Sequence, residues 1–414
     1  MTGRVLNECL CCGSKALVKY LDLGIQPLAN NFVSLEEPKP EAFPLELVRC
    51  ESCWHSQLSF IVDRDFIFDH YLYVSGTSKT LQSYFDWLAV TLSKVLGPSA
   101  KVLELAANDG SLVEALLGRG IDAIGLDPAA NVVNIAKEKG LPIKVGYWPE
   151  VESAFEGSFD LILCLNVLAH VDKPLSFLHA CRKKLSHGGA VLIQTSQARM
   201  FEFGQFDTCY HEHVSFFNLN SIRVLAEKAG LTLIGGCITQ IHGDSQVFVL
   251  SNEAQSGLGH SILEGLAVGS FAVCETLDDL ERRIAVYAKP TYESFASDAN
   301  NLIALFRTTI DFYRDEGFAV AFVGAAAKGI TFLNAAGVTG DYFLDEAELK
   351  IGKLAPGMNL LVSSLDFVAT VNNKTLFVIT AWNFSDELLL KLKNFGVPKG
   401  SRFLTYFPDF RISS

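Results

Sequence analysis

The feature that most constrains this chain is a repeated alternation of short apolar runs with stretches of helical period. KVLEL (101–105), DAIGLD (122–127), FDLILCLN (159–166) and AVLIQTS (190–196) are each bounded by turn residues and separated by helical patterns. Strands spaced in this way build a mostly parallel sheet with helices over both faces. The same grammar returns in AVAFVGAAAKG (319–329), GDYFLDE (340–346) and TLFVITAWN (375–383), after one long helical pattern over 276–317. At 414 residues the chain exceeds one ordinary domain. The expected fold is α/β. A cysteine-bearing segment spans 1–70, a central Rossmann-like unit spans 71–255, and a second, smaller Rossmann-like α/β unit spans 256–414.

Composition narrows the function. Hydrophobic residues make up 49% and charged residues 19%, enough for large buried cores. The net charge of −12 argues against nucleic acid, whose backbone favours a basic face. It leaves room for a phosphorylated small molecule, which a few local donors can hold. The start, MTGRVLNECLCC, has no basic region followed by an apolar run. No apolar stretch reaches the ~18 residues of a membrane span. These features point to a cytoplasmic protein with no membrane partner. Nothing in the sequence fixes an oligomeric state.

Five of the ten cysteines fall in the first 53 residues. Cys9 and Cys12 form one C-x-x-C pair, and Cys50 and Cys53 form another. A two-residue spacer lets a tight knuckle aim both sulfurs at one ion, and two knuckles complete a tetrahedral thiolate site. Four ligands leave no open position, so the expected metal is a structural zinc. Cys11 could replace either neighbour in the first knuckle, and His55 is a weaker candidate beside the second.

VLELAANDGSL (102–112) reads as strand, sharp turn and helix start. Glu104, Ala106, Asn108 and Gly110 lie along it, with Gly110 expected to let the backbone approach a ligand. About 20 residues on, Asp127 and Pro128 follow the next strand, where an acid can accept both ribose hydroxyls. Asn166 ends the strand after that. The dinucleotide pattern G-x-G-x-x-G is absent from this turn. A pyrophosphate needs those glycines for close packing, whereas S-adenosylmethionine carries no phosphate. The set therefore favours S-adenosylmethionine.

Beyond AVLIQTS comes a dense titratable cluster of Tyr210, His211, Glu212 and His213, flanked by Phe216 and Phe217. Next to a cofactor crevice, such a cluster suits an active site. His170 comes from a neighbouring loop, and His242, Gly243 and Ser245 form another polar turn. Methylating carbon requires removal of a proton beside a ketone and donors for the enolate oxygen. A His with a nearby carboxylate and a Tyr supplies those parts.

In sequence order, LGIQPLANNF (23–32), YLYVSGTSKTLQSYF (71–85), ELAANDGSL, YHEHVSFF (210–217), IHGDSQ, VGAAAKGITFLNAAG and AWNFSDE (381–387) follow the first knuckle. Through them the chain resembles the three-domain sugar C-methyltransferases that act on nucleotide-linked 4-keto-deoxy sugars. The resemblance covers nearly the whole chain. It implies zinc in the first domain, S-adenosylmethionine in the second, and methyl transfer to C3 beside the C4 ketone. Its active site falls on Tyr73, His170, Tyr210, Glu212 and His213, with His213 as the base; Tyr71 is close enough to Tyr73 to confuse the assignment. The substrate turn usually reads HGGS, and here Asp244 replaces a glycine. His242 and Ser245 are expected to contact substrate. Lys328 in GAAAKG could meet a phosphate of the nucleotide. Three rivals are an NAD-dependent nucleotide-sugar oxidoreductase using GAAAKG and Asp345, a sugar O-methyltransferase, and a non-catalytic zinc scaffold.

Overall fold

A computed structural model describes residues 3–68 and 79–414 of the chain. The central apolar runs pair as their spacing predicts. A seven-stranded sheet has the order Thr232–Thr239, Ser245–Ser251, Leu185–Thr195, Phe159–Leu165, Lys101–Leu105, Asp122–Asp127, Ile143–Val145. The last five strands are parallel, and the hairpin formed by the first two closes one edge antiparallel.

The strands are apolar throughout because both faces are covered. Side chains alternate between the faces with period two. Val102, Leu161, Leu163 and Leu192 pack with Leu88, Ala89 and Leu92 of helix Lys79–Val95. Their neighbours Leu103, Ile162 and Ile193 pack with Phe177 and Leu178 of helix Pro174–Lys184, and with Ile222 and Leu225 of helix Leu219–Lys228. The strand order reverses between Lys101–Leu105 and Phe159–Leu165. Loops leaving those two strands part to opposite faces, which opens a crevice at their carboxyl ends.

A second sheet repeats the theme in the order Val362–Ser364, Tyr342–Asp345, Ala319–Val323, Thr375–Ile379, Arg402–Thr405, Arg411–Ser413. Only its last strand is antiparallel. The long helical pattern ahead of this sheet is divided in the structure. Helices Leu277–Arg283 and Lys289–Asp315 are separated by a turn in which Ala285 has φ 50°. Pro290 explains the break, because it lacks an N–H and is accommodated in a helix's first turn.

The first 68 residues hold more order than cysteine knuckles and turns suggest. Leu17–Pro27, Ala42–Cys50 and Ser56–Leu58 form an antiparallel sheet. Its fourth strand is Ser215–Phe216, contributed by the central part of the chain. Leu21, Leu45 and Leu47 of this sheet share a core with Phe206 and with Phe332 and Tyr406 of the C-terminal part.

Candidate active site

The two knuckles meet. Cys9 Sγ lies 3.5 Å from Cys53 Sγ, and Cys12 Sγ lies 3.5 Å from Cys50 Sγ. All four sulfurs are within 4.8 Å of one another. Four sulfurs ~2.3 Å from one tetrahedral ion stand about 3.8 Å apart, so the donor set fits zinc. Cys11 is outside the group of four; burial pushes its thiol well above the ordinary range. His55 is outside it as well, and its Nε2 lies 3.3 Å from Ser215 Oγ.

A cavity of about 890 Å³ occupies the crevice of the central sheet. Glu104, Ala106, Asn108, Asp127, Pro128 and Asn166 line it. Asp127 pins the turn: its Oδ2 accepts from the Asn108 N–H and its Oδ1 from the Ala129 N–H, both at 2.8 Å. Each oxygen keeps a lone pair for a ligand hydroxyl. Among the described residues, Glu104 Oε2 and Asn166 Oδ1 are buried without a hydrogen-bond partner. Buried polar atoms are rarely left so, and an amino and hydroxyl-bearing ligand satisfies them. Burial, reinforced by Asp127 and Asp109, raises the Glu104 carboxyl well above the usual carboxylate range. Ala106, Asn108 and Asn166 all have left-handed φ, 59°, 51° and 54°. Such strain collects at functional sites.

Gly110 is not among the residues lining the cavity, and its φ is 78°. A Cβ there would stand 2.6 Å from Ile143 Cδ1 and 2.7 Å from Leu141 Cδ1, so the glycine makes room for the loop and strand packed behind the turn.

Of the Tyr–His–Glu–His segment, Glu212 reaches the same cavity, whereas Tyr210, His211 and His213 are not among its lining residues. Glu212 lines it together with His170 and His242. The His213 Nδ1–H donates to the Thr208 carbonyl at 2.8 Å, which leaves Nε2 as the basic nitrogen. The Tyr210 hydroxyl is 3.0 Å from that Nε2 and donates to it. The His170 ring stands 5.0 Å from the His213 ring. Burial holds His170 down to about 4, and burial with His170 nearby holds His213 well below the ordinary imidazole value. Both rings are therefore neutral at pH 7. Burial raises the Glu212 carboxyl. His211 faces away, with Nε2 3.3 Å from the Phe43 carbonyl. Tyr71 and Tyr73 lie outside the described residues.

The turn 242–244 is left-handed at all three residues, with φ 55°, 80° and 70°. Asp244 stands where a glycine would be unstrained, and its carboxylate accepts from Arg199 Nε at 2.8 Å. Ser245 closes the turn, its hydroxyl donating to the Ile241 carbonyl at 3.0 Å. Lys328 sits at the start of helix Ala327–Ala336, with Nζ 4.7 Å from the centre of the Trp382 ring. Trp382 Nε1 donates to Asp207 Oδ2 at 2.7 Å, so the C-terminal part docks directly behind the His213 segment. Sequence reasoning did not single out Asp207, Trp382 or Asn30. Trp382 lies within AWNFSDE, Asn30 within LGIQPLANNF, and Asp207 just ahead of YHEHVSFF, but only the fold joins them to the site.

The sheet order, the crevice and a ribose-ready acid without a pyrophosphate turn define a methyltransferase, and comparison with known proteins agrees. A methyltransferase domain model matches residues 78–235, a C-methyltransferase C-terminal domain model matches 270–408, and a zinc-binding domain model matches 9–68. The C-methyltransferase NovU of Streptomyces niveus is 27% identical over 99% of this chain and 98% of its own length. The three matches follow one another along the chain and mark it as an S-adenosylmethionine-dependent C-methyltransferase with a zinc-binding segment. The ubiquinone biosynthesis O-methyltransferase of Erwinia tasmaniensis is 33% identical, but over only 27% of this chain and 47% of its own. Among solved structures, the magnesium protoporphyrin IX methyltransferase of Synechocystis PCC 6803 with bound SAH aligns with 46% of this chain and 100% of its own. That match has 14% identity and a TM-score of 0.37. No described helix is long and apolar enough to cross a membrane.

Proposed function

We propose that this enzyme methylates C3 of a nucleotide-linked 4-keto-deoxy sugar through an enolate. The observation that carries the reading is the His213–Tyr210 pair, 3.0 Å apart, on the segment whose Glu212 lines the cavity that also holds the cofactor residues. A base that abstracts a carbon-bound proton must be unprotonated at working pH, and burial keeps His213 so. S-adenosylmethionine, when bound, supplies an electrophilic methyl group. Glu104, Asp127 and Asn166 are the residues proposed to hold it, with Ala106, Asn108 and Pro128 shaping the turn against it.

The chain's own residues do the rest. The C3 proton passes to the Tyr210 oxygen while the Tyr210 proton moves to His213 Nε2. Thr208 keeps the ring oriented by accepting from Nδ1. The sugar becomes an enolate, whose carbon would take up the methyl group as its bond to sulfur breaks, leaving S-adenosylhomocysteine. His170 and His242 are proposed to face the ketone oxygen and the sugar. Lys328, as an ammonium, suits an anionic oxygen of the nucleotide. Ser245 holds the turn that carries His242. A cofactor-binding unit spanning roughly 71–255 and a nucleotide-sugar unit spanning 256–414 fit this division, with the protein working in the cytoplasm.

The experiment is incubation with S-adenosylmethionine and a panel of nucleotide 4-keto-6-deoxy sugars, with mass detection of the added methyl group. Deuterium washout from C3 without methyl donor is expected, because proton removal precedes methyl transfer. A product methylated on oxygen, with no washout, would overturn the enolate.

A further inference from the structure

The catalytic segment is hydrogen-bonded, along nearly its whole length, to the first sheet. His211 Nε2 meets the Phe43 carbonyl at 3.3 Å. The Leu58 N–H donates to the Val214 carbonyl at 3.0 Å. Ser215 and Phe216 pair with Gln57 and Ser56 as a strand. Asn218 Nδ2 donates to the Trp54 carbonyl at 2.7 Å, and Asn220 Nδ2 to the carbonyl of the cysteine ligand Cys53 at 3.1 Å. Within this row, one bond reaches a functional side chain. Asn30 Nδ2 donates to Glu212 Oε1 at 3.0 Å.

Glu212 is 5% exposed and lines the cavity. Among the described residues its Oε2 is buried with no partner. One oxygen is thus held from the zinc-bearing sheet, and the other is left to accept. A carboxylate oxygen in that condition suits a hydroxyl hydrogen of a sugar. We propose that Asn30 is a positioning residue of the active site, fixing the Glu212 carboxylate so that Oε2 accepts a substrate hydroxyl. The zinc-bearing sheet is then part of the catalytic apparatus. This rests on the sugar reading above.

Asn30 also acts on the charge of Glu212. Burial raises the carboxyl; a hydrogen bond from the backbone of Glu212 itself and then one from the Asn30 amide lower it. Other titratable groups line the cavity, among them Asp63, Lys173 and the Arg64–Glu150 ion pair. His170 and His242 are held down to about 4 by burial, and His213, on the same segment, is lower than its ordinary value. His211 is also held down to about 4, and at the cavity mouth Arg4 is paired with Asp172 at 2.8 Å. Glu104 and Asp127 line the cavity from the central sheet, and burial raises both carboxyls. Lys328 flanks the segment from the C-terminal part and acts on Asp207.

The test compares wild type with Asn30→Ala and Asn30→Asp, each with S-adenosylhomocysteine bound. Glu212 is followed by carbon-13 carboxyl NMR, its signal assigned by its loss in Glu212→Gln. Removing the amide donor in Asn30→Ala is expected to raise the Glu212 pKa, and the like charge introduced by Asn30→Asp is expected to raise it further. In parallel, kcat is expected to fall about tenfold in Asn30→Ala, with its acidic limb displaced to higher pH and cofactor affinity unchanged. A shifted Glu212 pKa with no keto sugar methylated by any form would sink the substrate reading and leave the positioning role standing. Methylation at the wild-type rate with an unmoved Glu212 pKa and an unmoved acidic limb would overturn the role of Asn30. Loss of cofactor binding together with activity would also overturn it, because that pattern marks a merely structural residue.

Discussion

Replacing Asp207 by Asn should make the protein more stable relative to wild type as pH rises. Asp207 is completely buried, and its Oδ1 has no hydrogen-bond partner among the described residues. Burial raises its pKa from 3.8 to about 6, even though Lys328 and the Trp382 N–H both favour the ionised form. Below pH 3.8 the carboxyl is protonated in both folded and unfolded chains, and the group costs nothing. Between 3.8 and about 6 the unfolded chain releases a proton that the folded chain keeps, so stability falls. Above that window the full cost is present. The gap from 3.8 to about 6, at about 1.36 kcal/mol per pH unit, gives about 3 kcal/mol. An amide at this position has no proton to lose. Its chief other effect is the lost counter-charge for Lys328, whose pKa burial lowers and Asp207 raises; groups away from this pair are common to both proteins. The stability of the Asp207→Asn variant minus that of wild type should therefore grow by about 2 kcal/mol between pH 4 and 7, because a fraction of the full cost is already present at pH 4. Denaturant unfolding followed by Trp fluorescence across that range measures it. A difference that stays flat with pH would show that the Asp207 carboxyl is not raised and that the solvent reaches it.

The same geometry sets three other expected outcomes. His213→Asn should abolish deuterium washout from the sugar and lower kcat by about 10²–10⁴, while calorimetry still detects S-adenosylhomocysteine binding. Asp127→Ala should weaken cofactor binding by about 1–3 kcal/mol, measured by calorimetry, because it removes a ribose acceptor and strands the Asn108 and Ala129 N–H groups. Gly110→Ala should lower the melting temperature, since the new Cβ would meet Ile143 and Leu141 and the φ of 78° disfavours a side chain; unchanged melting would show that the turn relaxes freely.

Local order was legible to different depths in different parts of the chain. Strand–turn–helix alternation exposed both parallel sheets, because a strand buried on two faces must be apolar throughout. The zinc ligands were equally readable, since the knuckle geometry is set by two residues of spacing. The break at 284–288 was harder, because apolar period continues through it and only Pro290 marks the new helix. The packing of Ile143 behind Gly110 was not legible, because a glycine in a turn looks the same whatever lies behind it.

Residue chemistry by itself determined that Tyr210, Glu212 and His213 are candidates for one site, and that Asp127 stands where an acid can meet a ribose. What only the tertiary structure decided is who holds them. Asn30 is 182 positions from Glu212, and Trp382 is 175 from Asp207. Ser215–Phe216 is a two-residue strand, too short to carry a period. Its partner is Ser56–Leu58, more than 150 residues earlier in the chain. Periodicity and spacing are properties of neighbours along the chain. A hydrogen bond closed between residues more than 150 positions apart is set by packing, and it leaves no local pattern to read.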